Sequence, residues 1–329
     1  MSISEIAKHL KVSKSTVSLV INGKAEEGRI SKASAQRIRD YIEEIGYKPN
    51  ALAKSLATGK SRTIGLIVEN IGDSFFGPIA LHIEEYLRKH GYQVLYSSTM
   101  GDNQLAAEIV QTMLDKQVEG IILAPTDALD SEVERMLKSK MPLVLFDRKI
   151  PSLPTNYVGT NNYEASREAV EHLLEQGYGH IGMVTIASQQ PQMQDRLRAY
   201  QDVLAENGSK EQLLYTSFLD KDENPVKAIS KWLKKNPEID ALFFSTNYVC
   251  VAGLKAMRKL EREQQLGIIA FDDLELLELM RPQISCIRQP LEKIAKAVVQ
   301  MLIEQLSDKD KAPSEKIIRS NIQIRESSL

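Results

Sequence analysis

From Thr63 onward the chain repeats one pattern, a short apolar run followed by an amphipathic stretch of helical period. IGLIVEN precedes PIALHIEEYLRKHG, YQVLYSS precedes AAEIVQTMLDKQ, GIILAP precedes SEVERMLKSK, and LVLFDR and YVGTN close the round. A second round follows: EASREAVEHLLEQG, HIGMVTI, a helix through Tyr200 and Leu204, LLYTSF, VKAISKWLKKNP, ALFFSTN, VAGLKAMRKL and LGIIAFDD. Short apolar strands separated by helices argue for parallel sheets with helices on both faces. Two rounds predict two doubly wound lobes, with ligand at the strand carboxyl ends facing a cleft.

The segment before Thr63 reads differently. Ser2-Ile3-Ser4-Glu5 fits a capping box, and Ile3, Ile6, Ala7 and Leu10 then share a helical face. Lys11-Val12 makes a short turn, and Ser13 can cap a second helix, Lys14 to Asn22, with Val17, Val20 and Ile21 inward. Ser31 can cap a third helix carrying Ile38, Tyr41, Ile42 and Ile45 and stopping at Gly46. Three short helices with a tight turn between the first two describe a helix-turn-helix headpiece. Its second helix would enter the DNA major groove. There Lys14 and Ser15 would meet base edges, and Leu19, one turn later on the same outward face, could touch a thymine methyl. Thr16, Ser18 and Asn22 are better placed for phosphates, which set register without reading sequence. The competing reading is a three-helix protein-interaction module whose polar residues are merely solvated.

Charge favours the first reading. The whole chain carries -2, yet residues 1–62 hold twelve Lys or Arg against six Asp or Glu, a net +6 that leaves -8 for the remainder. Such asymmetry lets the head approach a polyanion while the body is repelled. The opening MSISEIAKHLKVSKS has no apolar signal core and no stretch reaches membrane-spanning length, so a cytoplasmic protein without membrane contact is expected. Cys250 and Cys286 show neither a CxxC pair nor metal spacing and are expected as buried, reduced side chains.

The words SEIAKHLKVSKSTVSLVING, RISKASAQRIRDYIEEIGYKPN, ALAKSLATGKSRTIGLIV and, downstream, IIAFDD with MRPQISCIRQP span essentially the whole chain. In them the sequence resembles the lactose/galactose repressor family. The resemblance implies a helix-turn-helix domain over 1–46, a hinge over 47–61 and a periplasmic-binding-protein-like ligand and dimerisation domain over 62–329. It divides the last into an N-lobe of about 62–160 plus 290–315 and a C-lobe of about 161–289 plus 316–329. EKIAKAVVQMLIEQL is thereby expected to return to the first lobe and IIRSNIQIRES to the second. The chain departs from the family in two places: Leu19 stands where arginine is common, and GKAEEGR before Ile30 is longer than usual.

Pro49, Asn50 and the run ALAKSLA up to Gly59 read as a short helix too small to stand alone. Composition leaves open an ordinary linker with Leu52 and Leu56 packed on the body. The resemblance implies a hinge that folds when two copies pair over the minor groove, with Leu56 as an apolar wedge and Asn50, Ala53 and Lys54 beside it. The implied partners are a double-stranded operator and a second copy of the chain, with room for a tetramer or a corepressor protein.

Polar and aromatic groups cluster at the predicted strand ends: Asp73 to Phe76, Asp147-Arg148, Asn161 and Asn162, Asn247, and Asp272-Asp273, with Arg196 in the helix after HIGMVTI. The resemblance places Phe75, Asp147, Arg196, Asn247 and Asp272 around an effector. Their chemistry suits a sugar or sugar phosphate, since carboxylates and guanidinium grip adjacent hydroxyls and an aromatic face covers C–H groups. Taken singly, Asp272 could instead cap the next helix, Phe76 could be core and Arg148 a salt-bridge partner. Tyr248 stands where the family often has an acid, and Asp220 where some members present an aromatic ring.

An enzyme is not expected, nor a cofactor or metal. Gly177-Tyr-Gly-His-Ile-Gly182 matches G-x-G-x-x-G but closes a helix and opens a strand, the reverse of a nucleotide loop. No P-loop, HExxH or G-x-S-x-G occurs, and His9, His82, His90, His172 and His180 show no catalytic spacing. Trp232 is assigned to packing. The alternative function is a sugar-binding protein without DNA affinity.

Overall fold

The computed structural model describes residues 2–47, 60–216, 224–262 and 265–329. The chain divides into two compact units, Met1–Ser61 and Arg62–Leu329.

In the first unit, α1 (Ile3–Leu10), α2 (Lys14–Ile21) and α3 (Lys32–Glu44) enclose a core of Ile6, Ala7, Val17, Val20, Ala25, Ala35 and Ile38. The capping box closes in both directions: Glu5 N–H donates to Ser2 Oγ at 3.3 Å and Ser2 N–H to Glu5 Oε2 at 2.6 Å. Lys11 adopts a left-handed conformation, φ 55°, and so ends α1 and turns the chain into Ser13. Two ends fall short of expectation. Asn22 caps α2 instead of extending it, and α3 stops at Glu44 with Ile45 as its cap, before Gly46 at φ 60°. Arg37 Nη2 donates to the Leu10 carbonyl at 2.9 Å, and His9 stacks on Tyr41, tying α3 to α1.

The second unit holds two six-stranded sheets of equivalent topology. The first lobe runs β1 (Thr63–Val68), α4 (Phe76–Lys89), β2 (Gln93–Ser98), α5 (Asn103–Asp115), β3 (Gly120–Leu123), α6 (Asp130–Lys138), β4 (Leu143–Phe146) and β5 (Asn156–Thr160). The second runs α7 (Asn162–Glu175), β6 (Ile181–Ile186), α8 (Pro191–Glu206), β7 (Gln212–Thr216), α9 (Pro225–Lys235), β8 (Ala241–Phe244), α10 (Asn247–Lys259), β9 (Gly267–Phe271), α11 (Glu275–Leu279) and β10 (Ser285–Arg288). The chain then returns to the first lobe through α12 (Leu291–Ser307) and β11 (Glu315–Ile318), and ends in the second with β12 (Asn321–Gln323).

Strand orders are β11-β5-β4-β3-β1-β2 and β12-β10-β9-β8-β6-β7, parallel throughout except for the β10–β12 pair. Each sheet is covered on both faces, which explains the nearly continuous apolar runs. Along β1, Ile64, Leu66 and Val68 join one core while Ile67 joins the other. Trp232 packs over Gly182, where a Cβ would meet its ring at 2.6 Å, as the packing assignment requires.

The last segment corrects one expectation. IIRSNIQIRES does not belong wholly to the second lobe, because residues 315–318 extend the first sheet beside β5 and only 321–323 join the second. The edge of β5 offers an unpaired ladder that the tail fills before crossing. The first lobe therefore runs to Ile318, past the expected 315.

Three strands of chain link the lobes, at 160–162, 288–291 and 318–321, and side chains tie them to one another. Thr160 Oγ1 donates to Gln289 Oε1 at 3.0 Å, and Ser320 N–H donates to Asn161 Oδ1 at 2.7 Å.

Candidate functional site

The two lobes place equivalent features across a cleft. β4 ends in Phe146-Asp147 and β9 in Phe271-Asp272, each phenylalanine fully buried and each aspartate left-handed, at φ 63° and 71°. The strain recurs at the same topological position, where each aspartate amide donates to the neighbouring strand: Asp147 to Val158 at 3.2 Å and Asp272 to Ile287 at 3.0 Å. Left-handed backbone at the strand end turns both carboxylates into the cleft, a form of strain found at functional positions.

Between them lies a cavity of about 510 Å³, within the range of small-molecule sites. Phe75, Asp147, Arg196, Asn247 and Asp272, the five expected residues, all line it. Phe76 lines it too while packing on the core, edge-on to Phe146, so the core reading of Phe76 holds as well.

Arg196 is buried and held from several sides. Its Nε donates to Asn162 Oδ1 at 2.9 Å and its Nη1 to the Ser245 carbonyl at 2.7 Å. Its guanidinium lies 3.4 Å from the Phe271 ring centroid, and Asp272 Oδ2 stands 3.6 Å from Nη1. Burial lowers its pKa despite Asp272 and Asp147. Burial raises that of Asp272, against Arg196 and a 2.6 Å hydrogen bond from Gln289 Nε2. Asp147 is pushed up to about 6, chiefly by burial, with Arg148 and Arg196 opposing.

Arg148, also buried, is an ion-pair partner as anticipated, gripping Glu69 with Nη2 and facing Asp147 Oδ2 at 3.2 Å through Nε. Burial works against its charge, but Asp147 and Glu69 outweigh that and raise its pKa. Asn247 Nδ2 reaches across the cleft to Ser74 Oγ at 2.8 Å. Burial pushes the Tyr248 phenol up to about 12. Thr126 Oγ1 and Gln192 Oε1, on two cavity-lining residues, are buried without an intraprotein hydrogen bond, so the lining has polar groups to spare for a ligand.

Some expectations change. Asp272 does not cap α11; its neighbour Asp273 accepts the Leu274 N–H at 2.9 Å. Asp273 belongs to a separate cluster with Arg288, Arg325 and Glu278, and hydrogen bonds from Arg325, Cys286 and Arg288 overcome burial to hold it at about 2. Asn161 and Asn162 hold Ser320 and Arg196 in place and do not line the cavity. Glu69, Gln192 and Gln289 do line it and went unforeseen. Glu69 was legible as a strand-end acid, whereas Gln289 reaches the cavity only because it lies in the second crossover, bonded to Thr160 and Asp272.

In the first unit, α2 presents its amino-terminal turn to solvent. Ser13 Oγ accepts the Thr16 N–H at 3.0 Å and bonds Ser15 Oγ at 2.7 Å and Thr16 Oγ1 at 2.8 Å. Lys14 and Ser15 are exposed, Thr16 and Ser18 half-buried, and exposed Asn22 donates back to the Ser18 carbonyl at 2.9 Å. Leu19 differs from expectation: it is half-buried, its Cδ1 set against Gly28. Asn50, Ala53, Lys54 and Leu56, like Asp220, lie outside the described residues.

The G-x-G-x-x-G match sits between the end of α7 and the start of β6, with Gly177 at φ 91°, and opens a strand as read from sequence. Cys250 and Cys286 are buried and free. Among the described residues no cluster of His, Cys, Asp or Glu could hold a metal, and no helix is long and apolar enough to cross a membrane.

Two family models match the chain. Residues 2–50 match bacterial regulatory proteins of the lacI family, and residues 64–311 match the periplasmic binding protein domain. The chain is 32% identical to the HTH-type transcriptional regulator PtxS of Pseudomonas plecoglossicida over 93% of its own length and 89% of the relative's. It is 28% identical to the ribose operon repressor of Halalkalibacterium halodurans, over 94% and 91%. Its fold matches that of the lac repressor dimer bound to operator and the anti-inducer ONPF with a TM-score of 0.86 at 18% identity, covering 100% of this chain and 99% of that one.

Proposed function

The chain belongs to the lacI family of bacterial regulatory proteins, DNA-binding transcriptional regulators with a ligand-binding domain, and on that premise we propose that it is a cytoplasmic, homodimeric repressor whose hold on a pseudo-palindromic operator is set by a sugar in the cleft. The observation that carries this is the cavity itself: two carboxylates of matching backbone strain, a buried arginine held over the Phe271 ring, and Phe75 at the wall. Paired acceptors and a planar donor recognise adjacent hydroxyls, and an aromatic face recognises a sugar ring. The ribose operon repressor among its relatives supports a carbohydrate effector.

Charge narrows the effector further. The cavity is lined by Glu69, Asp73, Asp127, Asp147 and Asp272 against Arg148 and Arg196, and each arginine already faces a carboxylate of the protein. A sugar phosphate would add charge to an acidic, low-dielectric site without a spare cation, so an uncharged sugar is the better fit.

Lys14, Ser15 and the hydroxyls of α2 meet DNA, and Asn50, Ala53, Lys54 and Leu56 are assigned to the hinge over the minor groove. Effector reaches the lobe crossovers through Arg196, Asp272, Gln289 and Thr160, each within bonding or ion-pair distance of the next. Lobe rearrangement then alters the spacing of the two heads, and by reciprocity the operator-bound form binds effector more weakly if effector releases DNA. A non-DNA-binding sugar carrier fits the cleft equally well but leaves the +6 head without a purpose.

The test is a melting screen of the full chain against neutral sugars and their phosphates, followed by fluorescence anisotropy on an operator enriched from random DNA. Asp272→Ala is expected to keep operator affinity and lose the sugar response. Unaltered sugar affinity in the variant would remove Asp272 from the site, and absence of DNA enrichment would remove the regulator reading.

A further inference from the structure

The sequence Gly23–Arg29, between α2 and α3, is folded onto the headpiece. Gly23 at φ 74° turns the chain after the Asn22 cap, and Lys24 N–H donates to the Leu19 carbonyl at 2.8 Å. Gly28 N–H returns to the Lys24 carbonyl at 3.0 Å and Ile30 N–H to the Ala25 carbonyl at 2.9 Å, while Ala25 is buried in the core. These bonds carry Gly28 against the outward face of α2. A Cβ built on Gly28 would lie 2.6 Å from Leu19 Cδ1 and 3.5 Å from Ile30 Cδ1. Leu19 contributes nothing to the buried core, so its apolar tip is satisfied by this segment.

We infer that Leu19 is the seat of the Gly23–Arg29 segment and not a base reader, and that in the major groove operator sequence is read by the first turn of α2, through Lys14 and Ser15. The inference rests on the reading of α2 as the DNA-contacting helix. With Cδ1 set against Gly28 and the side chain half-buried, Leu19 has little apolar surface left to offer a thymine methyl. The charges of the segment agree. Glu26 and Glu27 are exposed, and Lys24 is engaged with Glu27 at 3.4 Å, so this edge of the headpiece offers phosphates little. Lys14 and Ser15 remain exposed at the opposite end of the helix, where bidentate and hydroxyl donors discriminate bases most strongly. A side chain at Gly28 would meet Leu19 Cδ1 and push it off this seat.

The experiment enriches a random double-stranded DNA library on the full-length protein and on Leu19→Ala, Gly28→Ala and the double variant, each checked for an intact melting transition. Wild type is expected to yield a pseudo-palindromic motif, and Leu19→Ala the same motif with uniformly weaker binding. Gly28→Ala should weaken binding about tenfold by overpacking, and the double variant should regain most of that loss because the leucine tip has gone. Loss of preference at one symmetric pair of base positions in Leu19→Ala would show that Leu19 reads DNA and overturn the inference. An equal Gly28→Ala penalty in both backgrounds would overturn it too. Failure of every protein, wild type included, to enrich a motif would instead overturn the DNA-binding reading on which it rests.

Discussion

Asp147→Asn is expected to stabilise the 62–329 unit at neutral pH while removing its response to sugar. The backbone should tolerate the change, because asparagine accepts the left-handed φ of 63° as readily as aspartate. The bond from Tyr157 Oη to the residue 147 carbonyl, 3.1 Å, is untouched. Only the charge differs. Burial moves this carboxyl from its ordinary 3.8 to about 6, against Arg148 and Arg196. A raised folded pKa means that the native state binds the proton more tightly than the unfolded chain. The associated stability is therefore full below pH 3.8 and is lost as pH climbs through about 6. That displacement corresponds to about 3 kcal/mol. The side chain is 11% exposed at a cavity water can enter, and Asn also gives up the pairing with Arg148, so a gain of about 2 kcal/mol is expected.

In a unit of this size a gain of that order raises Tm by about 5 °C. Scanning calorimetry of wild type and variant should show this difference at pH 7.5 and its decline toward zero at pH 4. A variant less stable than wild type at pH 7.5, or a difference that ignores pH, would refute the reasoning, since it would mean that the two arginines more than repay the burial of the carboxylate. Loss of stability in exchange for a competent site is the trade that strained, charged clefts commonly show.

Asp273→Asn should do the opposite. Held at about 2 by Arg325 and Arg288, this carboxylate stabilises the fold above its ordinary 3.8 and loses that contribution as pH falls toward 2, so the variant should cost about 2 kcal/mol at pH 7 in urea unfolding and little near pH 2. An unchanged midpoint at pH 7 would mark the cluster as screened surface charge. Gly253→Ala drives a Cβ to 2.2 Å from the Phe244 ring between α10 and β8, and should cost about 2 kcal/mol through overpacking in the same assay. A cost under about 0.5 kcal/mol would mean that the ring can move aside.

Much of the molecule was legible because it is local. The Ser2 and Glu5 box, the Ser13 and Ser31 caps and the alternation of strands and helices each depend on residues within a few positions of one another. The five cavity residues were legible for a related reason. In a doubly wound sheet every strand delivers its carboxyl end to one edge, so polar residues after apolar runs converge whatever the strand order.

What escaped was set at long range. Leu19 looks outward by helical period, yet Gly28, nine positions later, covers its tip, and only a folded Gly23–Arg29 segment can decide that. Residues 316–318 read as part of a second-lobe tail until β5 supplies an open edge for them. Gln289 falls within MRPQISCIRQP, but nothing local marks it for the cleft; it matters because a crossover sets its amide between Thr160 and Asp272. The headpiece helices, the strand-and-helix rounds and the chemistry at the strand ends thus follow from sequence alone, since hydrogen-bonded periodicity and capping are short-range forces. Whether Leu19 faces a base or a glycine, and which groups connect the cleft to the crossovers, follows from packing between segments far apart in the chain, where position in space and not in sequence determines the partner.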